Sequence, residues 1–155
     1  MKRLCLFVGY DCKNEIDDYV IYYVKKMAEI ADVYYYGDFE CQPNELKKLS
    51  PYCKKYFAKR HRKYDFGSWQ ELIKIIGKDK IREYDQLILA NDSCYGPIFD
   101  LKSVLKKMEQ RNCDFWGLSA SKWYHIHIQS YFVVLNNNVL QNDALFNFFS
   151  KVEAQ

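Results

Sequence analysis

The residues of this chain best suited to chemistry are carboxylates and amides that flank apolar runs. Asn91-Asp92-Ser93 comes directly after Leu87-Ile88-Leu89-Ala90 and shortly before a turn marked by Gly96-Pro97. Asp11 follows the run from Leu4 to Val8, Asp65 sits between Tyr64 and Phe66-Gly67, and Asp114 opens Phe115-Trp116-Gly117-Leu118. In an open α/β sheet, ligands bind in the crevice beyond the carboxyl ends of the strands. Several of these carboxylates are therefore expected to converge on one crevice, where they could meet a metal, a ribose or a cation bound to phosphate. Asp and Asn are also favoured in turns and caps, and Asp11 and Asp114 read equally well that way. Asp92, between a buried strand and a Gly-Pro turn, carries the functional reading most clearly, with Asp65 next.

Other chemistries lack their frames. His125 and His127 stand two apart with no Cys or carboxylate at a customary zinc spacing. In an extended segment they would share a face and could serve a phosphate, a sugar or a proton. There is no G-x-S-x-G elbow, no P-loop and no G-x-G-x-x-G turn. A nucleotide would have to be held by side chains and single loop amides, with or without a metal.

The elements that must position these groups follow from the apolar pattern. Leu4 to Val8 reads as a central strand, Asp32 to Tyr36 as a second, Tyr52 to Ala58 as a more polar edge strand, and Leu87 to Ala90 as a fourth. Asp114 to Leu118 and Tyr131 to Leu135 complete the set. Helices are predicted from an Asn14 cap through Ile30, over Pro43 to Leu49, and from a Ser68 cap with Glu71 as capping-box partner to a stop at Gly77. Further helices are expected around Leu101 to Met108 and, as one final helix, from Val139 to Phe149. Strands alternating with helices point to a mostly parallel α/β domain.

Composition sets the bounds. The chain has 155 residues, enough for one domain with a sizeable core. The net charge of +3 suits an anionic ligand such as a nucleoside diphosphate and does not by itself argue for nucleic acid. Lys59-Arg60-His61-Arg62-Lys63 is either a solvated loop or a phosphate or membrane contact. Six cysteines without a C-x-x-C pair, and no leader pattern after Met1-Lys2-Arg3, lead to the expectation of free thiols in a cytoplasmic setting.

Four stretches taken together resemble a known family. Tyr64-Asp65-Phe66-Gly67-Ser68-Trp69, Asn91-Asp92-Ser93-Cys94-Tyr95-Gly96-Pro97, Asp114-Phe115-Trp116-Gly117-Leu118 and His127-Ile128-Gln129-Ser130-Tyr131-Phe132 are similar in order and spacing to the rhamnan synthesis protein F family. Asp17-Asp18-Tyr19-Val20 and Phe146 to Val152 also fit. The family comprises bacterial glycosyltransferases, or glycosyltransferase-like proteins, of surface polysaccharide assembly.

The resemblance implies a single glycosyltransferase-like domain over residues 1–155, shortened at its C-terminus. Its fold would be three-layered and Rossmann-like with a mostly parallel sheet, as in the type A glycosyltransferases. The implied reaction moves a sugar such as rhamnose from a nucleoside diphosphate to a glycan or lipid-linked glycan acceptor. Asp11, Tyr64, Asp65, Asn91, Asp92 and Ser93 would bind the donor, and His125, His127 and Gln129 the acceptor or a phosphate. Asp92 would hold a divalent cation, magnesium or manganese, with one carboxylate where the usual motif has two. No residue is assigned as the catalytic base. Nucleic acid is not expected as a partner, and peripheral contact with the inner membrane face is. His61 and Lys63 replace an Asn and a Gly of the family pattern. Together with the single carboxylate, they support an alternative: a non-catalytic relative that binds a glycan or a partner enzyme.

Overall fold

The computed structural model describes residues 1–153. Its strands are β1 (Arg3–Gly9), β2 (Asp32–Gly37), β3 (Cys53–Ala58), β4 (Gln86–Asn91), β5 (Phe115–Gly117), β6 (Ala120–Ser121), β7 (His127–Ile128) and β8 (Phe132–Asn136). Six of them form one mixed sheet in the order β3-β2-β1-β4-β8-β5, while β6 and β7 pair as a separate hairpin. β1 to β4 are mutually parallel. β8 runs against both neighbours, β4 and β5. The expected central place of β1 and edge place of β3 are both found.

Strand periodicity divides the core. Successive side chains on a strand face opposite ways, so Cys5 and Phe7 of β1 enter one apolar cluster, and Leu4, Leu6 and Val8 enter another. The first cluster is covered by α1 (Asp18–Ala28) through Val20, Tyr23, Val24 and Met27, and by α5 (Leu101–Glu109) through Leu101 and Leu105. The second is covered by α3 (Tyr64–Ile76) through Trp69, Leu72 and Ile73, and by Leu140 and Phe149 further along the chain. Helices thus lie on both faces, giving three layers with the sheet in the middle. Trp69 anchors α3 to the sheet directly: its indole N–H donates to the Leu6 carbonyl at 3.1 Å.

Several boundaries differ from the sequence reading. Asn14 does not cap α1; it lies in the preceding loop with φ +65°. The Asp11 carboxylate accepts the Lys13 and Glu15 N–H groups there, so the helix starts only after Asp17. Ser68 does not cap α3 either. That helix begins four residues earlier, at Tyr64, and Ser68 is buried inside it. Gly77 ends α3 as expected, with φ +84° and its N–H on the Ile73 carbonyl at 2.9 Å. The single final helix is two: α6 (Asn137–Leu140) and α7 (Asp143–Ser150), the second restarted by the Asn142 side chain accepting from the Ala144 N–H. The short helix α4 (Lys78–Ile81) and the β6-β7 hairpin are additional, and α2 (Pro43–Lys47) is close to its expected place.

No helix among the described residues is long and apolar enough to cross a membrane. All six cysteines are unpaired.

Candidate functional site

Three parallel strands end side by side and deliver the site. Val8 of β1 lies beside Asn91 of β4, and Gly9 beside Gly37 of β2. Asp92 follows β4 and Asp38 follows β2, so both carboxylates emerge at the same edge. The loop after β3, residues 59–63, arrives there too, because the Lys59 N–H donates to the Gly37 carbonyl at 3.0 Å. The result is a cleft of about 520 Å³, with Arg60, Arg62, Asp65 and Asp92 among its walls and Tyr10 and Tyr64 at its rim.

Asp92 is held from two directions. Its Oδ2 accepts the Tyr10 N–H at 2.9 Å. The Asp92 carbonyl accepts from the Tyr19 hydroxyl at 3.1 Å. Gly9 makes room for the carboxylate: a Cβ there would lie 2.7 Å from both Asp92 Oδ2 and the Tyr35 hydroxyl. Burial pushes the Asp92 carboxyl up to about 7, and the negative charge of Asp65 adds to the rise. Asp65 is also raised, by burial first and by Asp38 to a lesser degree, while its hydrogen bond from Asn91 opposes the shift.

Asn91 joins the two acidic residues. Its side-chain NH₂ donates to Asp65 Oδ2 at 2.6 Å, and its Oδ1 accepts the Ser93 N–H at 3.1 Å. The side chain is buried and committed on both ends. It therefore holds Asp65 and the turn around Asp92 and is not itself free to receive a ligand.

The basic run is exposed at Lys59, Arg60 and Arg62, yet its backbone is pinned to the sheet edge. Asp38 Oδ1 accepts the backbone N–H groups of His61 and Arg62, at 2.6 and 3.0 Å. Arg62 and Tyr64 take left-handed backbone conformations, with φ +59° and +55°, as the segment turns into α3. His61 is packed against α3, and burial holds its imidazole below the ordinary histidine range. Its Nδ1 accepts the Lys63 N–H at 3.1 Å, which leaves the ring proton on Nε2, 2.9 Å from Ser68 Oγ. Lys63 Nζ donates to Gln70 Oε1 at 3.1 Å. The residues at the two departures from the family pattern are thus internal supports of this loop. Gly67 faces them from the first turns of α3, and a Cβ there would collide with Lys63 Cβ. Among the described residues, neither Arg60 nor Arg62 pairs with a carboxylate.

Of the expected donor-side residues, Tyr64, Asp65, Asp92 and Ser93 line the cleft and Asn91 braces it from behind. Asp11 stands nearby, with its Oδ1 accepting the Lys13 and Glu15 N–H groups of its own loop. Asp114 does not converge. It lies at the amino end of β5, which runs parallel to β4, and it accepts from the Asn138 side chain at the opposite edge of the sheet. His125, His127 and Gln129 belong to the β6-β7 hairpin and are not cleft residues. His125 lies in the bend before β7, so the extended run that would align its ring with that of His127 is broken. His127 Nδ1 instead contacts the His125 carbonyl at 2.9 Å.

Tyr10 and Asp38 are not among the site residues read from the sequence, and Arg60 and Arg62 enter there only within the basic run, as a solvated loop or a phosphate or membrane contact. Asp38 carried a usable signal, since it follows β2 just as Asp92 follows β4. Among the described residues, no three His, Cys, Asp or Glu side chains are grouped closely enough to hold a metal ion. The oxygen donors of Asp65 and Asp92 share one cleft, which suits a hard cation that takes its other ligands from water and phosphate.

No curated protein matches the chain. Residues 38–155 match the family described as rhamnan synthesis protein F, a span that starts at Asp38 and takes in the basic loop, the acidic pair and the hairpin. Asp17-Asp18-Tyr19-Val20 lies outside the matched span. The match covers most of the chain, and on that ground the chain belongs to the rhamnan synthesis protein F family, whose theme is polysaccharide biosynthesis.

Proposed function

We propose that the chain is a nucleotide-sugar-dependent glycosyltransferase of the Rossmann-like type A class, acting on a surface glycan or its lipid-linked precursor. One observation carries this reading. Arg60 and Arg62, free of carboxylate partners, face Asp65 and Asp92 across a single cleft beyond the carboxyl ends of β1, β2 and β4. Guanidinium forks match phosphate oxygens, so the two arginines suit a diphosphate. Tyr10 and Tyr64, 56% and 71% exposed, offer ring faces at the rim for a base or a sugar. A magnesium or manganese ion would be held by Asp92, with Asp65 close by, and would neutralise charge on the leaving diphosphate.

A second reading, a non-catalytic sugar-nucleotide or glycan binder, draws on Asn91. It stands where a second carboxylate would, and both ends of its side chain are already hydrogen-bonded.

Calorimetry with a panel of nucleoside diphosphates and their sugars, with and without manganese, tests both readings. Wild type should bind at least one donor, and Asp92→Ala should bind it at least about tenfold more weakly. Equal binding by the two proteins would remove Asp92 from the site. Turnover of any donor decides for the transferase; binding without turnover across the panel decides for the binder.

A further inference from the structure

One edge of the sheet carries both the cleft and a concentration of exposed apolar side chains. β4 ends at Asn91, β5 ends at Gly117 and β8 begins at Phe132, opposite Ala90. Segments 92–100 and 118–131 therefore both lie at the edge that holds the cleft. The first exposes Tyr95, Ile98 and Phe99 at 79, 85 and 78%. The second exposes Trp123, Tyr124 and Ile126 at 75, 90 and 79%, all in the turn between β6 and β7. The two segments are continuous: Ile98 and Phe99 share an apolar pocket of about 410 Å³ with Leu118 and Tyr131, at the base of the hairpin. The hairpin is seated on β5, where Gly117 leaves space for the Ile128 side chain.

The chemistry of this surface selects its partner. Trp and Tyr beside a lysine, here Lys122, is the composition that settles at a bilayer–water interface, where ring bodies enter the acyl boundary and polar tips stay in the headgroups. Ile98 and Ile126 have no face to stack on a sugar ring, so a glycan would leave them uncovered. Charge points the same way. No Asp or Glu occurs from Ser93 to Phe99 or from Phe115 to Asn142. Asp92 and Asp100 stand at the two ends of the first segment, but the hairpin tip carries no acidic group that an anionic headgroup would repel, and Arg60 and Arg62 open onto the same edge.

We propose that this edge seats on an anionic lipid bilayer, with Lys122, Trp123, Tyr124 and Ile126 as the anchoring tip and Ile98 and Phe99 as a second contact. The cleft then opens at the membrane surface. This inference rests on the exposed edge and is independent of how the cleft is read.

The test uses vesicles of phosphatidylcholine alone and of phosphatidylcholine mixed equally with phosphatidylglycerol. Wild type should co-sediment with the anionic vesicles, more weakly as salt rises. Trp69 and Trp116 are only 1% and 6% exposed, so a blue shift of tryptophan emission, and quenching by brominated lipid, report Trp123. A triple variant, Trp123→Ser/Tyr124→Ser/Ile126→Ser, should partition at least about tenfold less, with the emission of Trp69 and Trp116 retained as the sign of an intact core. Lys122→Glu should weaken binding to the anionic vesicles selectively. Failure of wild type to bind either vesicle overturns the proposal, as does equal binding by the triple variant. A concentration-dependent dimer that the triple variant abolishes would assign the surface to a second copy instead, and emission shifts with a soluble glycan alone would assign it to sugar. Unchanged donor binding by the triple variant keeps this outcome separate from the fate of the cleft.

Discussion

The Asp92 carboxylate occupies the space that a side chain on Gly9 would need, 2.7 Å from where the Cβ would be. The same missing methyl leaves room for the Tyr35 hydroxyl, so one residue at the end of β1 sets the position of a carboxylate that belongs to β4. Gly9→Ala should displace Asp92 and destabilise the fold by about 1–3 kcal/mol. Thermal unfolding and donor calorimetry on this variant check both effects. An unchanged affinity would show that the placement of Asp92 is immaterial to the ligand.

The buried carboxyl of Asp92 makes stability pH-dependent. Its folded value, about 7, lies above the ordinary carboxylate range, mainly through burial and secondarily through Asp65. A raised folded value means that the native state holds its proton more tightly than the unfolded chain does. The stabilisation is therefore present below about pH 4 and is lost as pH rises through about 7. Asp65, raised in the same direction, adds to the trend. Urea midpoints in metal-free buffer should fall between about pH 5 and about pH 8, and Asp92→Asn should flatten that fall.

A cation would act in the opposite sense. It favours the ionised carboxylate, so manganese affinity should rise with pH up to about 7 and binding should release protons. Calorimetry of the nucleoside diphosphate and manganese together, in two buffers of different ionisation heat, measures that release.

Asn91 offers a sharper test of the acidic pair. Asn91→Ala removes the donor from Asp65 Oδ2 and should cost about 1–3 kcal/mol. Asn91→Asp puts a third negative group where the NH₂ now donates, 2.6 Å from Asp65. It should destabilise the protein at neutral pH and recover part of that loss on adding manganese. Denaturant titrations with and without the metal give the answer.

The basic loop depends on a position outside it. Gly67→Ala would improve helix propensity, yet its methyl meets Lys63 Cβ and the His61 ring. The expected outcome is weaker binding of a nucleoside diphosphate through displaced arginines, with little loss of helix by circular dichroism. Arg60→Ala/Arg62→Ala should reproduce the binding defect directly, by at least about tenfold.

The strands of the core are legible because short apolar runs bounded by polar residues admit few other readings. Leu4 to Val8, Leu87 to Ala90 and Tyr131 to Leu135 all become strands in or near their expected bounds. The direction of β8 was not legible, since a strand buried on both faces has the same apolar pattern whichever way it runs. The caps were misread for a different reason. Asn14 and Ser68 are good capping residues, but the Asp11 turn delays α1, and the Asp38-pinned loop lets α3 begin early. Both effects come from contacts that a local pattern does not contain. In the site, Asp92 and Asp65 stood out as acids flanking apolar runs. Arg60 and Arg62 read equally as surface charge or as a phosphate or membrane contact, because only the fold shows their loop tied to the end of β2.

β8 runs against its neighbours, and this bears on how the protein can vary. A parallel strand has to be reached by a crossover that spans the sheet, which fixes a minimum length and covers a face. β5 and β8 are antiparallel, so the chain between them leaves and returns at one edge without packing under the sheet. Apart from Ile128, seated against Gly117, and Tyr131, packed on the core, segment 118–131 can therefore lengthen, shorten or change its side chains at little cost to the core. Relatives should differ most in length between Gly117 and Val133, and least at Gly9 and Asp92, which pack against each other.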